Sequence, residues 1–477
     1  MAKFSETFHL PHGQASLDFV DIDTSRDTQL YLDPYAIEIR DDQWSTLCAD
    51  HIRSFFSEVL EALRADNRPR AAHLLGNLHE PNETCLGQSR GRPSGRGVGS
   101  FKAGQFAEAL RDSRAFATGL LTDISEAELF IAGIGSDTIS DLTTNILRGV
   151  LADYTKEQCD LYNIPTAPVR SLGPVWNMQT NRWEAKALQL PRPAGRPVLL
   201  VPKFSVRFRM SLDSQEFYNH HMIEFLRAEH LAAGSGLVHT LKNGDRKVYK
   251  KDVKAINEYV KDDLATFVRN HPEVLEEYKR IKGADGALSA NDLEKFFDEA
   301  AFAQALINRL QRIAAGNAAA GEYHSIALGI CTFLFHPGLI CPVKEREIHD
   351  GRKRIDIKFT NAAKDGFFFR MMAGPQTRAL SVAVECKNYT KEINNPELDQ
   401  MTGRFGHQRG FFGIVLCRSV DNRDRLTQRC KDAANDSRGY VLVLDDADLI
   451  NMLGMVQSRR RMSIDRFLAD RFDEISH

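Results

Sequence analysis

The feature that most restricts how this chain can fold is a change of hydrophobic pattern near residue 318. From there, short apolar runs alternate with helical stretches. A helix runs from Glu322 to about Phe335, followed by an extended segment at 339–348, a strand RIDIKF (354–359) and the run LSVAVECK (380–387). A helix opening at Pro396 comes next, then a buried strand FFGIVLC (411–417), a helix over about 422–435, a strand YVLVL (440–444) and a short helix. The first helix carries Ile326, Ile330, Phe333 and Leu334 at i, i+4, i+7 and i+8, a single apolar stripe. The order α-β-β-β-α-β-α-β predicts a mixed sheet with helices on its faces, because each strand and each helix must bury an apolar face against the other.

At 477 residues the chain exceeds one compact core. The expected organisation is an N-terminal α+β region (1–285), a helical linker (286–317), the sheet domain (318–455) and a C-terminal helix (456–477), α+β overall. The linker reads as one long helix over 289–316, with Phe296, Ala300 and Ala303 along one face. No run approaches the 18 or so apolar residues of a membrane span, and Met1–Glu6 lacks an apolar signal core, so a cytoplasmic protein with no membrane partner is expected. The eight cysteines form no CxxC pair, which argues against disulfides and a zinc ribbon. The net charge is −2, but residues 351–410 hold 11 Lys/Arg against 6 Asp/Glu, a local +5.

The N-terminal region offers weaker signals. The stretch 86–104, rich in Gly, Arg and Ser, lacks the Lys-Ser/Thr ending of a P-loop and reads as a surface loop. LFIAGI (129–134) reads as a strand and about 139–159 as a helix, with Asp141, Asn145 and Arg148 on a solvated polar face. Asp18, Asp21, Asp23, Asp27 and Asp33 are dense, but turn chemistry accounts for most of them. VLLVPKFSVRFRM (198–210) reads as a buried strand broken by Pro202, and 241–254 as a Lys-rich hairpin around Asn243-Gly244.

Two strands in the last third place charge where apolar residues would be expected. In RIDIKF, Asp356 and Lys358 share one face and Ile355, Ile357 and Phe359 the other. In SVAVECK, Glu385 and Lys387 oppose Val382, Val384 and Cys386. Ionisable groups converging on a sheet are costly unless paired or metal-bound. An ion-pair cluster on an edge strand is the structural alternative to chemistry.

Asp356, then Glu385-Cys386-Lys387, within this element order, resemble the PD-(D/E)XK, or restriction-endonuclease-like, nuclease superfamily over about 318–455. The resemblance implies a restriction-endonuclease-like sheet and Mg²⁺-dependent hydrolysis of DNA, with Mn²⁺ as substitute. Asp356 and Glu385 would ligate the metal, with the Cys386 carbonyl adding an oxygen and its side chain packing into the core. Lys387 would orient or deprotonate the attacking water, or stabilise charge on the phosphate. Glu322, which matches the acidic position on the family's preceding helix, sits four residues before Ile326 on the apolar stripe. It would hold a second metal or simply favour the helix N-terminus.

The helix after the second strand has Asn395 as N-cap and Pro396 at N1. Leu398, Met401 and Phe405 form its apolar stripe, with Gln400 and Arg404 on an adjacent face. Some superfamily members carry a glutamine here beside the active site, and Arg404 would then contact a phosphate. Arg352, Lys353 and Arg354 suit a DNA-backbone approach. A DNA endonuclease in restriction or antiphage defence is the expected function, and the N-terminal region would serve sensing, assembly or target recognition. A homo-oligomer and a defence-system protein partner stay open, as do a DNA-repair nuclease and an interaction protein with an inactive nuclease-like domain.

Overall fold

The computed structural model of the chain describes residues 3–87, 100–170, 172–344 and 357–476. Most of the Gly/Arg-rich stretch, together with Arg352, Lys353, Arg354 and Asp356, lies outside the described residues.

The N-terminal half is built around two long helices, α1 (Gln43–Arg64) and α2 (Ser136–Tyr162). Asp42 caps α1 by accepting from the Ser45 N–H at 2.9 Å. Cys48, Ile52, Phe55, Phe56, Val59 and Leu60 then recur at helical spacing and enter one apolar core that extends from Phe4 to Tyr278. That core also takes in Ile340 and Cys341, from the edge of the C-terminal sheet.

Several expected elements differ. LFIAGI is not a strand: Ala127–Phe130 form a helical turn, and Leu129, Phe130 and Ile131 are fully buried. A short all-apolar run carries no period to separate strand from helix. Residues 198–201 are buried as expected, yet the ladder here is only Val206–Arg207 against Tyr31–Leu32. Their backbone donors go elsewhere: the Leu199 N–H to the Glu83 carbonyl and the Leu200 N–H to Thr155 Oγ1, both at 2.8 Å. The hairpin is present as His239–Thr240 paired with Arg246–Lys247, but Lys250–Ile256 is helical. The expected long linker helix is broken. Ala290–Leu293 is a single turn, Phe296 takes a positive φ of 62° and is fully exposed, and a new helix α3 (Glu299–Arg312) starts where Asp298 accepts from the Ala301 N–H.

The C-terminal part follows the expected order with one added helix. It comprises α4 (Ala320–Phe335), β1 (Leu339–Val343), β2 (Ile357–Asn361), α5 (Gly366–Ala373), β3 (Ser381–Lys387), α6 (Asn395–Thr402), β4 (Phe412–Cys417), α7 (Arg423–Asn435), β5 (Tyr440–Asp445), α8 (Asp446–Gln457) and α9 (Ser463–Ser476). The five strands form one mixed sheet in the order β5-β4-β3-β2-β1. β3, β4 and β5 run parallel, and β2 is antiparallel to both neighbours. The chain is therefore α+β with a mixed C-terminal sheet. β3 is its middle strand, so the charges of SVAVECK do not sit on an edge strand.

Strand alternation divides the sheet between two cores. Val382, Val384, Ile414, Leu416, Leu442 and Leu444 pack against α4, α8 and α9. Ala383, Val415, Cys417, Val441 and Val443 face Leu398 and Met401 of α6 and Leu426 and Cys430 of α7. Although no unbroken apolar run spans a membrane, the stretch Asn317–Phe335, containing α4, is long and apolar enough by length and composition, and 61% of it is buried inside the protein.

Candidate active site

Glu385 and Lys387 project from the C-terminal end of β3 toward α6, on the face that Ala383 shares. Glu385 is completely buried and Lys387 is 9% exposed. Lys387 Nζ lies 3.0 Å from one carboxylate oxygen of Glu385. The guanidinium of Arg404 lies against the other oxygen. Neither oxygen accepts an aligned hydrogen bond from the described residues. Lys387 Nζ also donates to Gln400 Oε1 on α6 at 3.0 Å. Two cations, Lys387 and Arg404, thus meet the buried Glu385 carboxylate, and Gln400 holds the first of them.

Local chemistry places α6 one residue away from the expected start. Its N-cap is Asn394, not Asn395, because Asn394 forms a capping box with Glu397, whose carboxylate accepts the Asn394 N–H at 2.8 Å. Pro396 falls inside the first turn, where its missing N–H costs nothing. Gln400 lies on the helix and accepts from Lys387. The helix ends at Thr402, so Arg404 belongs to the following turn. The resemblance would have Arg404 contact a phosphate; it is 6% exposed and is turned inward to Glu385.

Glu322 also differs from expectation. It lies in the first turn of α4 but is exposed, close enough to Arg309 for its charge to favour the guanidinium. The buried stripe passes through Tyr323, Ile326, Ala327 and Ile330, and at about 100° per residue the neighbour of Tyr323 points elsewhere. Tyr323 is the residue that reaches the strand ends. Its hydroxyl donates to Asp446 Oδ1 at 3.0 Å, and Arg418 Nε sits 3.2 Å from Asp446 Oδ2. Burial pushes Asp446 up to about 6 despite Arg418.

Sequence reasoning also missed Asn388, directly after Lys387. Its side-chain amide donates to the carbonyls of Ala314 and Gly316, at 3.0 and 2.7 Å, fixing the end of β3 to the segment before α4. Its position beside the charged triplet was the only signal. Cys386 faces the opposite core from Glu385 and is partly buried there.

A divalent cation implied by the triplet has one described carboxylate to bind, Glu385. No group of three or more His, Cys, Asp or Glu is assembled among the described residues. Mg²⁺ commonly uses only one or two protein carboxylates and keeps water on its other positions. A buried carboxylate whose oxygens lack aligned hydrogen bonds from the described residues fits that donor chemistry.

A family model described as a domain of unknown function (DUF8370) matches residues 9–213, within the N-terminal half. No curated protein and no solved structure matches the chain.

Proposed function

We propose that the C-terminal part is a metal-dependent endodeoxyribonuclease with a restriction-endonuclease-like sheet, in which Glu385, Lys387 and Gln400 work together. The observation that carries this reading is the Glu385–Lys387–Gln400 chain on the middle strand, where a fully buried carboxylate and an ammonium 3.0 Å from it project together toward α6. Glu385, the Cys386 carbonyl and Asp356 would hold Mg²⁺, which when bound supplies charge neutralisation and a more acidic water. Lys387, fixed by Gln400, places a positive charge where the phosphate gains negative charge. A role in restriction or antiphage defence belongs to the same proposal, with the N-terminal half as its sensing or target-reading part.

One observation favours the second reading, an interaction protein whose sheet is scaffold: Arg404 already neutralises Glu385. Lys387→Ala separates the two. Purified protein should cut linear, branched or single-stranded DNA with Mg²⁺ or Mn²⁺ and stop in EDTA. Lys387→Ala should lose cleavage yet keep any metal-dependent rise in melting temperature. Cleavage that persists in EDTA removes the metal-dependent mechanism, cleavage that persists in Lys387→Ala removes Lys387 from it, and no cleavage with either metal favours the interaction protein.

A further inference from the structure

A second site lies where the N-terminal half meets the sheet domain. A cavity of about 420 Å³ is lined on one side by Ile39, Arg40 and Arg207 and on the other by His336, Lys364 and Phe368. That volume falls within the range of small-molecule sites. Its walls come from both apolar cores: Ile39 packs on the first, and Leu334, Phe335 and Phe368 belong to the second.

Three buried nitrogens at this cavity have no hydrogen-bond partner among the described residues: Arg40 Nη2, Arg207 Nε and His336 Nε2. The Arg40 side chain is nine-tenths buried. Its Nε is held 2.9 Å from Asp42 and its guanidinium lies 4.4 Å from the centre of the Phe204 ring, so its orientation is fixed while Nη2 stays free. Arg207 donates through Nη1 to the carbonyls of Phe204 and Val206, which leaves Nε over. Lys364 is exposed at the rim and makes no ion pair among the described residues. Leaving buried polar groups unpaired is costly, most of all for the guanidinium donors, so a protein has reason to fill them; His336 Nε2 joins them as a donor in its Nε2–H tautomer. The acids on the lining are Asp285, Asp365 and Asp465. Asp465 accepts the Phe367 N–H at 3.0 Å, and Asp285 sits 4.0 Å from Lys282.

We propose that this cavity binds a small organic phosphate, its phosphoryl oxygens on Arg40, Arg207 and His336 with Lys364 at the rim, and its apolar body against Ile39 and Phe368. Guanidinium groups suit phosphate oxygens, and donors from three separate segments suit an anion with several oxygens better than a flat carboxylate. Repulsion among the cations points the same way: burial, then Arg40 and Arg207 against Asp41 and Asp42, hold Lys364 below the usual lysine range, and burial, then Lys203, Arg40 and Arg461, hold His336 well below the usual histidine value. An anion would relieve it.

The test is calorimetry and thermal melting of the full chain with adenosine monophosphate, inorganic phosphate and citrate, without DNA or divalent metal. Adenosine monophosphate should bind at sub-millimolar concentration and raise the melting temperature, at least tenfold more tightly than either of the others. Arg207→Gln and Lys364→Glu should each weaken it tenfold or more; Lys364 is exposed, so its variant folds regardless of the outcome at Arg207. No binding of adenosine monophosphate, equal binding of inorganic phosphate or citrate, or unchanged affinity in Lys364→Glu overturns the proposal. Because neither metal nor DNA is present, the outcome is independent of the nuclease reading.

Discussion

Buried charge is handled differently around Arg148, in the N-terminal half, and around Glu385, in the sheet domain. In the N-terminal half, Arg148 is 1% exposed, and its guanidinium is shared among Glu83 at 3.3 Å, Asn145 Oδ1 at 2.6 Å and the Pro174 carbonyl at 3.1 Å. Asn145 in turn holds both backbone groups of His79. Asp33 accepts the Tyr35 N–H and both the N–H and the hydroxyl of Ser211. These charges are locked by directional bonds. Glu385 is buried as completely, yet among the described residues it meets two cations without an aligned hydrogen bond. A carboxylate saturated with fixed donors is committed to the fold, whereas one held by ion contacts alone can exchange a partner for a metal.

The largest effect expected from this contrast is at Glu385. Glu385→Gln should lower DNA cleavage by about 10²–10³-fold and abolish any rise in melting temperature with Mg²⁺. Retention of both by the folded variant would erase the distinction between the halves.

Next in size is Arg148→Ala, which leaves Glu83 buried without its cation. Chemical denaturation should show a loss of about 3–5 kcal/mol, while cleavage per folded molecule stays at the wild-type level. A fall in specific activity would instead place the N-terminal network in the chemistry.

The two halves should also respond oppositely to acid. Burial, and then Arg309, holds His12 down at about 4, below its ordinary 6.5. The unfolded chain therefore binds the proton first, and His12 makes stability fall as pH drops from 6.5 toward 4. Asp446 is raised to about 6 from 3.8, so its contribution is present below 3.8 and lost as pH rises through 6. Melting curves of His12→Gln and Asp446→Asn across pH 3.5–7 should differ from wild type with opposite slopes. Slopes of the same sign would show that one of the two sites is not buried as described.

The smallest effect belongs to Glu322→Gln. An exposed residue off the buried stripe should change stability by no more than about 0.5 kcal/mol and leave cleavage within twofold. A hundredfold loss would restore Glu322 to the metal site.

Local pattern alone determined a good deal of this protein. The alternation in SVAVECK put Glu385 and Lys387 on one face, the apolar spacing drew α4 and α6, and the element order predicted a mixed sheet. These signals are readable because side-chain direction in a strand or helix follows from its period. Tertiary structure decided the rest. Asp141, Asn145 and Arg148 looked like a solvated face; Asn145 and Arg148 are buried because Glu83, His79 and Pro174, distant in sequence, come to meet them. Arg404 turns inward because α6 ends two residues before it, and β3 lies at the centre of the sheet only because β4 and β2 flank it. Periodicity reports which way a side chain points from its own backbone. What waits there is set by chain segments that only folding brings together, and for a charged group that partner decides whether it holds the fold or stays free for chemistry.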